Sequence, residues 1–112
     1  MPANVHNAQA ITDRLSQQAQ TDQLRITTHA HQEMVAEDIG LDDVACALRQ
    51  ATLVENYPEH KRGACGLVYG QNRNGRDLHI VCTTSLDLAI IITVYEPKPP
   101  KWESPFKRGE TK

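Results

Sequence analysis

The clearest alternation of apolar and polar positions lies near the end of the chain. Two β-branched runs, residues 78–83 and 88–95, flank a short polar turn, and this pattern predicts a β-hairpin. The second run is apolar on both faces, which predicts a central strand with Ile92 in the core. Pro97 is expected to end that strand, because proline cannot donate a hydrogen bond to a ladder.

Three segments before residue 51 have helical spacing. Residues 8–20 carry a thin stripe that includes Ile11 and Leu15 on an otherwise polar helix, so we expect this helix to lie on the surface or against a partner. Two more helices are predicted over residues 29–38 and 41–50. The positions expected to face the core are Ala30, Met34, Val35, Leu41, Val44, Ala45 and Leu48.

Two strands, 52–57 and 65–69, are predicted between the helices and the hairpin. Residues 24–27 are expected to form either a short strand or an extended lead-in to the second helix. The order predicts an α+β fold in which N-terminal helices pack on one face of a four-stranded antiparallel meander sheet. We expect one domain over residues 1–112. Within it, residues 1–23 form a peripheral N-terminal helix, residues 24–97 the α+β core, and residues 98–112 a proline-rich basic tail.

Length and composition are typical of a small single-domain protein and not of a membrane or secreted one. A chain of 112 residues permits one modest core. No apolar run reaches the roughly 18 residues that span a membrane, and the first residues do not follow the secretory-signal pattern, so we expect a cytoplasmic protein. The odd set of Cys46, Cys65 and Cys82 predicts small buried side chains rather than a disulfide framework.

The formal net charge of −2 is unevenly distributed. Residues 1–59 hold three arginines against nine acidic residues, a net charge of −6, and residues 60–112 hold nine basic against five acidic residues, a net charge of +4. This asymmetry permits an anionic partner on the C-terminal half. It equally permits an attraction between the helices and the sheet within the molecule.

An ordered set of motifs resembles a known family. The motifs are His29-Ala30 at a helix start, Met34 on that helix, Asp42-Asp43-Val44 at the next helix start, Glu55-Asn56-Tyr57-Pro58, Leu78-His79-Ile80-Val81, Thr93-Val94-Tyr95-Glu96-Pro97, Trp102 and Lys107-Arg108. Over about residues 25–109 they are similar to the bacterial family called domain of unknown function 4258. Two positions depart from its pattern: Glu37-Asp38-Ile39 replaces a usual arginine, and Ala51 replaces a glycine.

That family resembles small toxins of the RelE type, in which helices pack on a curved antiparallel sheet. Some of these toxins cleave messenger RNA and are neutralised by an antitoxin. The resemblance therefore implies a toxin-like RNA-binding protein, or a metal-independent ribonuclease of a toxin–antitoxin pair, with RNA and a cognate antitoxin as partners. The alternative is a non-catalytic protein-binding module that uses its sheet edge or N-terminal helix.

Metal-independent RNA cleavage needs a base, an acid and cations for the phosphate. His79 is the candidate acid or base on the open sheet face; otherwise it is a hydrogen-bonded structural residue. His29, at a helix start, is a candidate neutral base or a structural donor. Tyr95 is a candidate proton donor or the edge of the core. The candidate RNA contacts are Arg62, Arg76, Lys101, Trp102, Lys107 and Arg108.

Two of these candidates have a second interpretation. Trp102 either stacks on a base or holds the proline-rich tail on the sheet. His29 and His31 lie two residues apart on a helix and therefore diverge, so they do not form a metal-ligand pair. The sequence predicts no metal site and no cofactor.

Overall fold

A computed structural model describes residues 6–61 and 63–109. Its helices and strands are α1 (Ala8–Gln20), β1 (Leu24–Ile26), α2 (Thr28–Glu37), α3 (Leu41–Arg49), β2 (Thr52–Tyr57), β3 (Cys65–Gln71), β4 (Asp77–Thr83), β5 (Ala89–Tyr95), β6 (Trp102–Ser104) and β7 (Lys107–Arg108). None of the helices in the described residues is long and apolar enough to cross a membrane.

The main sheet has the strand order β1-β5-β4-β3-β2. Strands β2 to β5 form the predicted antiparallel meander, and the α+β class is confirmed. The prediction of a four-stranded, wholly antiparallel sheet needs correction, because β1 adds a fifth strand that pairs in parallel with β5 from Leu24↔Ala89 to Ile26↔Ile91. The parallel pairing is possible because α2, α3 and the meander provide the long connection that parallel neighbours require.

The hydrophobic core lies between the three helices and one face of this sheet. The core side chains include Ile11, Leu15, Met34, Val44, Leu48, Val68, Leu78, Ile80, Ile91 and Val94. The stripe predicted on α1 packs into this core, since Ile11 and Leu15 have no exposed surface, while Ala8, Asp13 and Gln17 of the same helix are exposed. Val35 and Leu41 were expected in the core but are 68% and 48% exposed. Leu41 lies at the first position of α3, and Val35 lies outside the face of α2 that buries Ala30 and Met34.

Helix α3 approaches the sheet closely where β3 has a glycine. A Cβ atom added at Gly70 would collide with the backbone of Ala47, so only glycine fits there. Cys65 and Cys82 are buried as predicted, and Cys46 is half-buried. Burial raises the pKa of the Cys82 thiol to about 12.

Carboxylates of α2 satisfy the free edge of β5 beyond the short strand β1. The backbone N–H of Val94 donates to Glu33 Oε1 at 3.0 Å, and that of Glu96 donates to Glu37 Oε1 at 3.2 Å. Thr27 begins the helix by accepting a hydrogen bond from the Ala30 N–H on its side-chain oxygen. Helix α2 therefore takes the place of a neighbouring strand along this part of the edge.

A bulge in β5 changes which isoleucine is buried. Val81 pairs with Thr93 and Cys82 pairs with Ile91, so Ile92 is the extra residue. Ile91 is fully buried in the core, whereas Ile92 is half-buried and lines a groove on the opposite face. The prediction that Ile92 is a core residue is therefore wrong, since a period-two pattern does not reveal an inserted residue.

We expect Ile91→Ala to lower the free energy of unfolding by about 2–5 kcal/mol, because it removes buried methyl groups and leaves a cavity. Ile92→Ala should cost distinctly less, because its side chain is already partly in water. Urea unfolding of the two variants measures the difference. Equal costs, or a larger cost for Ile92→Ala, would contradict the described register.

Candidate functional site

The sheet face opposite the helices is divided into two halves. Residues 98–109, which contain β6 and β7 and are called the tail hairpin below, cover the half that holds His79 and Tyr95. Register places these two residues opposite each other on neighbouring strands, so that their side chains lie on the same face. Trp102, the single tryptophan of the chain, is almost fully buried there at 2% exposure.

His79 lies beneath the tail hairpin with no exposed surface. Its Nε2 is 2.7 Å from the carbonyl oxygen of Pro105, and its Nδ1 is 3.0 Å from the Tyr95 hydroxyl. A carbonyl can only accept, so Nε2 carries a proton, and in the neutral ring, which burial favours, Nδ1 accepts from Tyr95. The Tyr95 hydroxyl in turn accepts from Trp102 Nε1–H at 3.1 Å.

These contacts describe a neutral imidazole. Burial lowers the pKa of His79, although the carbonyl of Pro105 and the carboxylate of Glu55 oppose that shift. The Trp102 ring meets the imidazole edge-to-face, with 4.4 Å between ring centroids. Both ring nitrogens are occupied and the ring is covered, so in this conformation His79 cannot reach a substrate.

Glu55 on β2 holds the other end of the tail hairpin. Arg108 donates to both carboxylate oxygens of Glu55 at 2.8 Å, and its guanidinium lies 4.6 Å from the centre of the Trp102 ring. These hydrogen bonds from Arg108 lower the pKa of Glu55. Phe106 packs on Tyr69, with ring centroids 5.0 Å apart. The tail hairpin is therefore fixed by a buried aromatic residue and a bidentate ion pair.

The third catalytic candidate lies apart from the first two. His29 is on the exposed side of α2, with its Nε2 3.4 Å from a carboxylate oxygen of Glu33. Among the described contacts, none joins His29 to His79 or Tyr95. The structure thus brings together two of the three candidates and separates the third.

The candidate RNA contacts are mostly engaged within the molecule. Arg76 pairs with Glu96 at 2.7 Å and donates to the carbonyl oxygens of Glu37 and Asp38 at the end of α2. Lys107 lies 3.3 Å from Glu103.

Two further candidate RNA contacts, Lys101 and Arg108, lie on the tail hairpin. Lys101 Nζ is 5.4 Å from the centre of the Tyr95 ring, and Arg108 is paired with Glu55. Arg62 lies outside the described residues. Both described arginines among these candidates, Arg76 and Arg108, are therefore paired with a carboxylate.

The uncovered half of the open sheet face forms a groove that the sequence analysis missed. Its volume is about 630 Å³. It is lined by Thr27, His60, Lys61, Gly63, Cys65, Val81, Thr83, Ile90 and Ile92, and is called the open-face groove below. The signal was present in the second hairpin run, whose apolar residues on both faces require a cover on both sides. Only one of those faces is covered by helices.

Within the described residues, no group of three or more His, Cys, Asp or Glu side chains is arranged to hold a metal ion.

Comparison with known proteins identifies a family without an assigned activity. A family model described as a domain of unknown function (DUF4258) matches residues 26–96. No curated protein and no solved structure matches the chain significantly. The matched segment contains α2, α3 and β2 to β5 and begins at Ile26, the last residue of β1, so it excludes α1 and the tail hairpin.

We expect acidification from pH 7 to pH 5 to release the tail hairpin. Covered His79 has a lowered pKa, whereas uncovered His79 returns towards its ordinary value of about 6.5. The uncovered state therefore binds protons more readily, and the stability of the covered state is lost as the pH falls below about 6.5. Glu55, whose pKa is lowered by Arg108, stays ionised throughout this range.

Fluorescence of Trp102 as a function of pH measures this release, since a released ring emits at longer wavelength and is quenched more strongly by acrylamide. The exposed-histidine variant His31→Ala should keep the transition. In His79→Gln the transition between pH 7 and pH 5 should be absent. A full transition in that variant would show that another group controls the tail hairpin.

Proposed function

This chain belongs to the domain of unknown function 4258 family, and we propose that it is a non-catalytic protein-binding module that uses the open-face groove. The observation that carries this proposal is the half-covered sheet face: aliphatic side chains of Val81, Ile90 and Ile92 remain accessible beside a half that the tail hairpin covers. Apolar concave surfaces of this kind are typical of binding sites. A cytoplasmic location stays a prediction.

The state of His79 favours binding over catalysis. A general acid or base must come within hydrogen-bond distance of the proton that it transfers. His79 instead uses both ring nitrogens within the molecule, to Pro105 and Tyr95, and has no exposed surface. Arg76 and Arg108, which would have to contact a phosphate, are in ion pairs with Glu96 and Glu55.

A toxin-like ribonuclease is the second candidate function. The packing of α2 and α3 on an antiparallel meander agrees with the description of RelE-type toxins, and the parallel strand β1 is the departure from it. The observation that favours this candidate is the hydrogen bond between His79 and Tyr95, two side chains able to transfer protons. In that function the tail hairpin would have to leave the sheet before RNA could reach His79.

We expect neither the wild-type protein nor a variant with a released tail to cleave RNA. Arg108→Glu places a carboxylate against Glu55 and should release the tail hairpin, which Trp102 fluorescence verifies before the assay. Both proteins are incubated with labelled RNA and with DNA of the same sequence, with and without chelator. Lys98→Glu, at an exposed position of the tail, is the matched control.

Cleavage of the RNA but not of the DNA would contradict the non-catalytic proposal. The contradiction would be strongest if only Arg108→Glu cleaved the RNA. A further loss of about 100-fold or more on adding His79→Ala would then assign the acid or base role to His79. Cleavage that chelator abolishes would indicate a metal-dependent nuclease instead.

Binding of a protein partner should depend on the open-face groove. We expect Ile92→Glu to lose partners captured by the wild-type protein from nuclease-treated lysate, because a carboxylate on the apolar floor is costly to desolvate. Val35→Glu is the matched control, since Val35 is 68% exposed on α2. Capture that survives Ile92→Glu, or that both variants lose equally, would contradict the proposed site.

A further inference from the structure

We propose that the partner of the open-face groove is a protein segment whose aliphatic side chains are flanked by carboxylates, and that it binds between Arg25 and Lys61. This inference rests on the proposed function, since it specifies the chemistry of the partner at the same site. It follows from the floor of the groove, from the charges at its margins and from the way in which the tail hairpin covers the other half.

The floor of the groove is aliphatic. Val81 on β4 and Ile90 and Ile92 on β5 are half-buried, and Cys65 and Thr83 lie beside them. Proteins that bind single-stranded nucleic acid usually stack bases on aromatic rings. No Phe, Tyr or Trp is among the described residues that line the groove. Such a floor therefore favours aliphatic side chains of a protein over nucleotide bases.

Cations lie at two margins of the groove. Arg25 on β1 pairs in register with Ile90, so its exposed side chain is on the groove side of the sheet, while Leu24 and Ile26 pack on the core. Lys61 is exposed in the loop between β2 and β3 on the other side, next to His60. No carboxylate is among the described lining residues. The margins therefore attract negative charge.

The tail hairpin provides an example, within the same molecule, of what this sheet face binds. At the covered half, Trp102 is the buried anchor and the Arg108–Glu55 ion pair fixes the margin. The uncovered half belongs to the same sheet face, but the charge at its margins is opposite. Arg25 and Lys61 are cations, whereas Glu55 at the margin of the covered half is an anion. A segment that combines apolar anchors with carboxylates would be the complementary cover.

Fluorescence anisotropy with synthetic peptides tests this chemistry on the full chain. Three labelled octapeptides are compared: alternating valine and glutamate, alternating valine and lysine, and alternating serine and glutamate. We expect the valine–glutamate peptide to bind, and to weaken as salt is raised. The valine–lysine peptide should bind at least about fivefold more weakly, because its charges oppose those of Arg25 and Lys61. The serine–glutamate peptide should lack measurable affinity, because it has no apolar anchor.

A charge exchange makes the test specific. The double variant Arg25→Glu with Lys61→Glu should reverse the order of the two valine peptides. The matched control, Arg73→Glu with Lys98→Glu, changes the net charge by the same amount at exposed positions outside the groove lining and should leave the order unchanged. Circular dichroism of both variants verifies that the fold is retained.

The outcomes separate this inference from the proposed function. Suppose that both valine peptides bind equally, that Ile92→Glu abolishes this binding and that the charge exchange does not alter it. This result would overturn the acidic character of the partner and would leave the protein-binding groove in place. Binding that Ile92→Glu does not weaken, or no binding by any peptide at millimolar concentration, would overturn both. Displacement of the peptide by an RNA oligonucleotide would overturn the protein partner in favour of RNA.

Discussion

The arrangement of the open sheet face depends on one buried series of side-chain hydrogen bonds. Trp102 donates to Tyr95, Tyr95 donates to His79, and His79 donates to the carbonyl of Pro105, so that a tail residue lies at each end of the series. Breaking it leaves a buried polar group unsatisfied, which costs more than the bond itself contributes. This series of hydrogen bonds therefore fixes both the protonation state of His79 and the position of the tail hairpin.

This constraint determines which part of the open sheet face is accessible. The tail hairpin covers the half that contains His79, and only the aliphatic half around Ile90 and Ile92 is left accessible. His79 and the open-face groove are thereby separated in space. The family match ends at residue 96, before the tail hairpin begins, so the cover over His79 lies outside the matched segment.

The sequence was sufficient to predict the meander and the helices that cover it, because alternating and helical patterns persist over whole segments. For residues 24–27 it left a short strand and an extended lead-in open, and it did not predict the parallel pairing of Leu24–Ile26 with β5, because three residues are too few to show a period. It misplaced Ile92, because a bulge shifts the register by one residue. The burial of His79 was also hidden, since it depends on Pro105, which lies 26 residues away and contacts the ring only after folding. The interpretation of Trp102 as a residue that holds the tail agrees with its position beneath Arg108.

The nitrogen chemical shifts of the His79 imidazole test most directly whether the tail hairpin seals this residue in a structural role. At pH 7 we expect a neutral ring protonated at Nε2, whose proton exchanges slowly with water because it is bonded to Pro105 and covered. A ring that titrates with an ordinary pKa of about 6.5 and exchanges its protons rapidly would contradict the account. His79 would then be accessible on the open sheet face, as a catalytic acid or base must be.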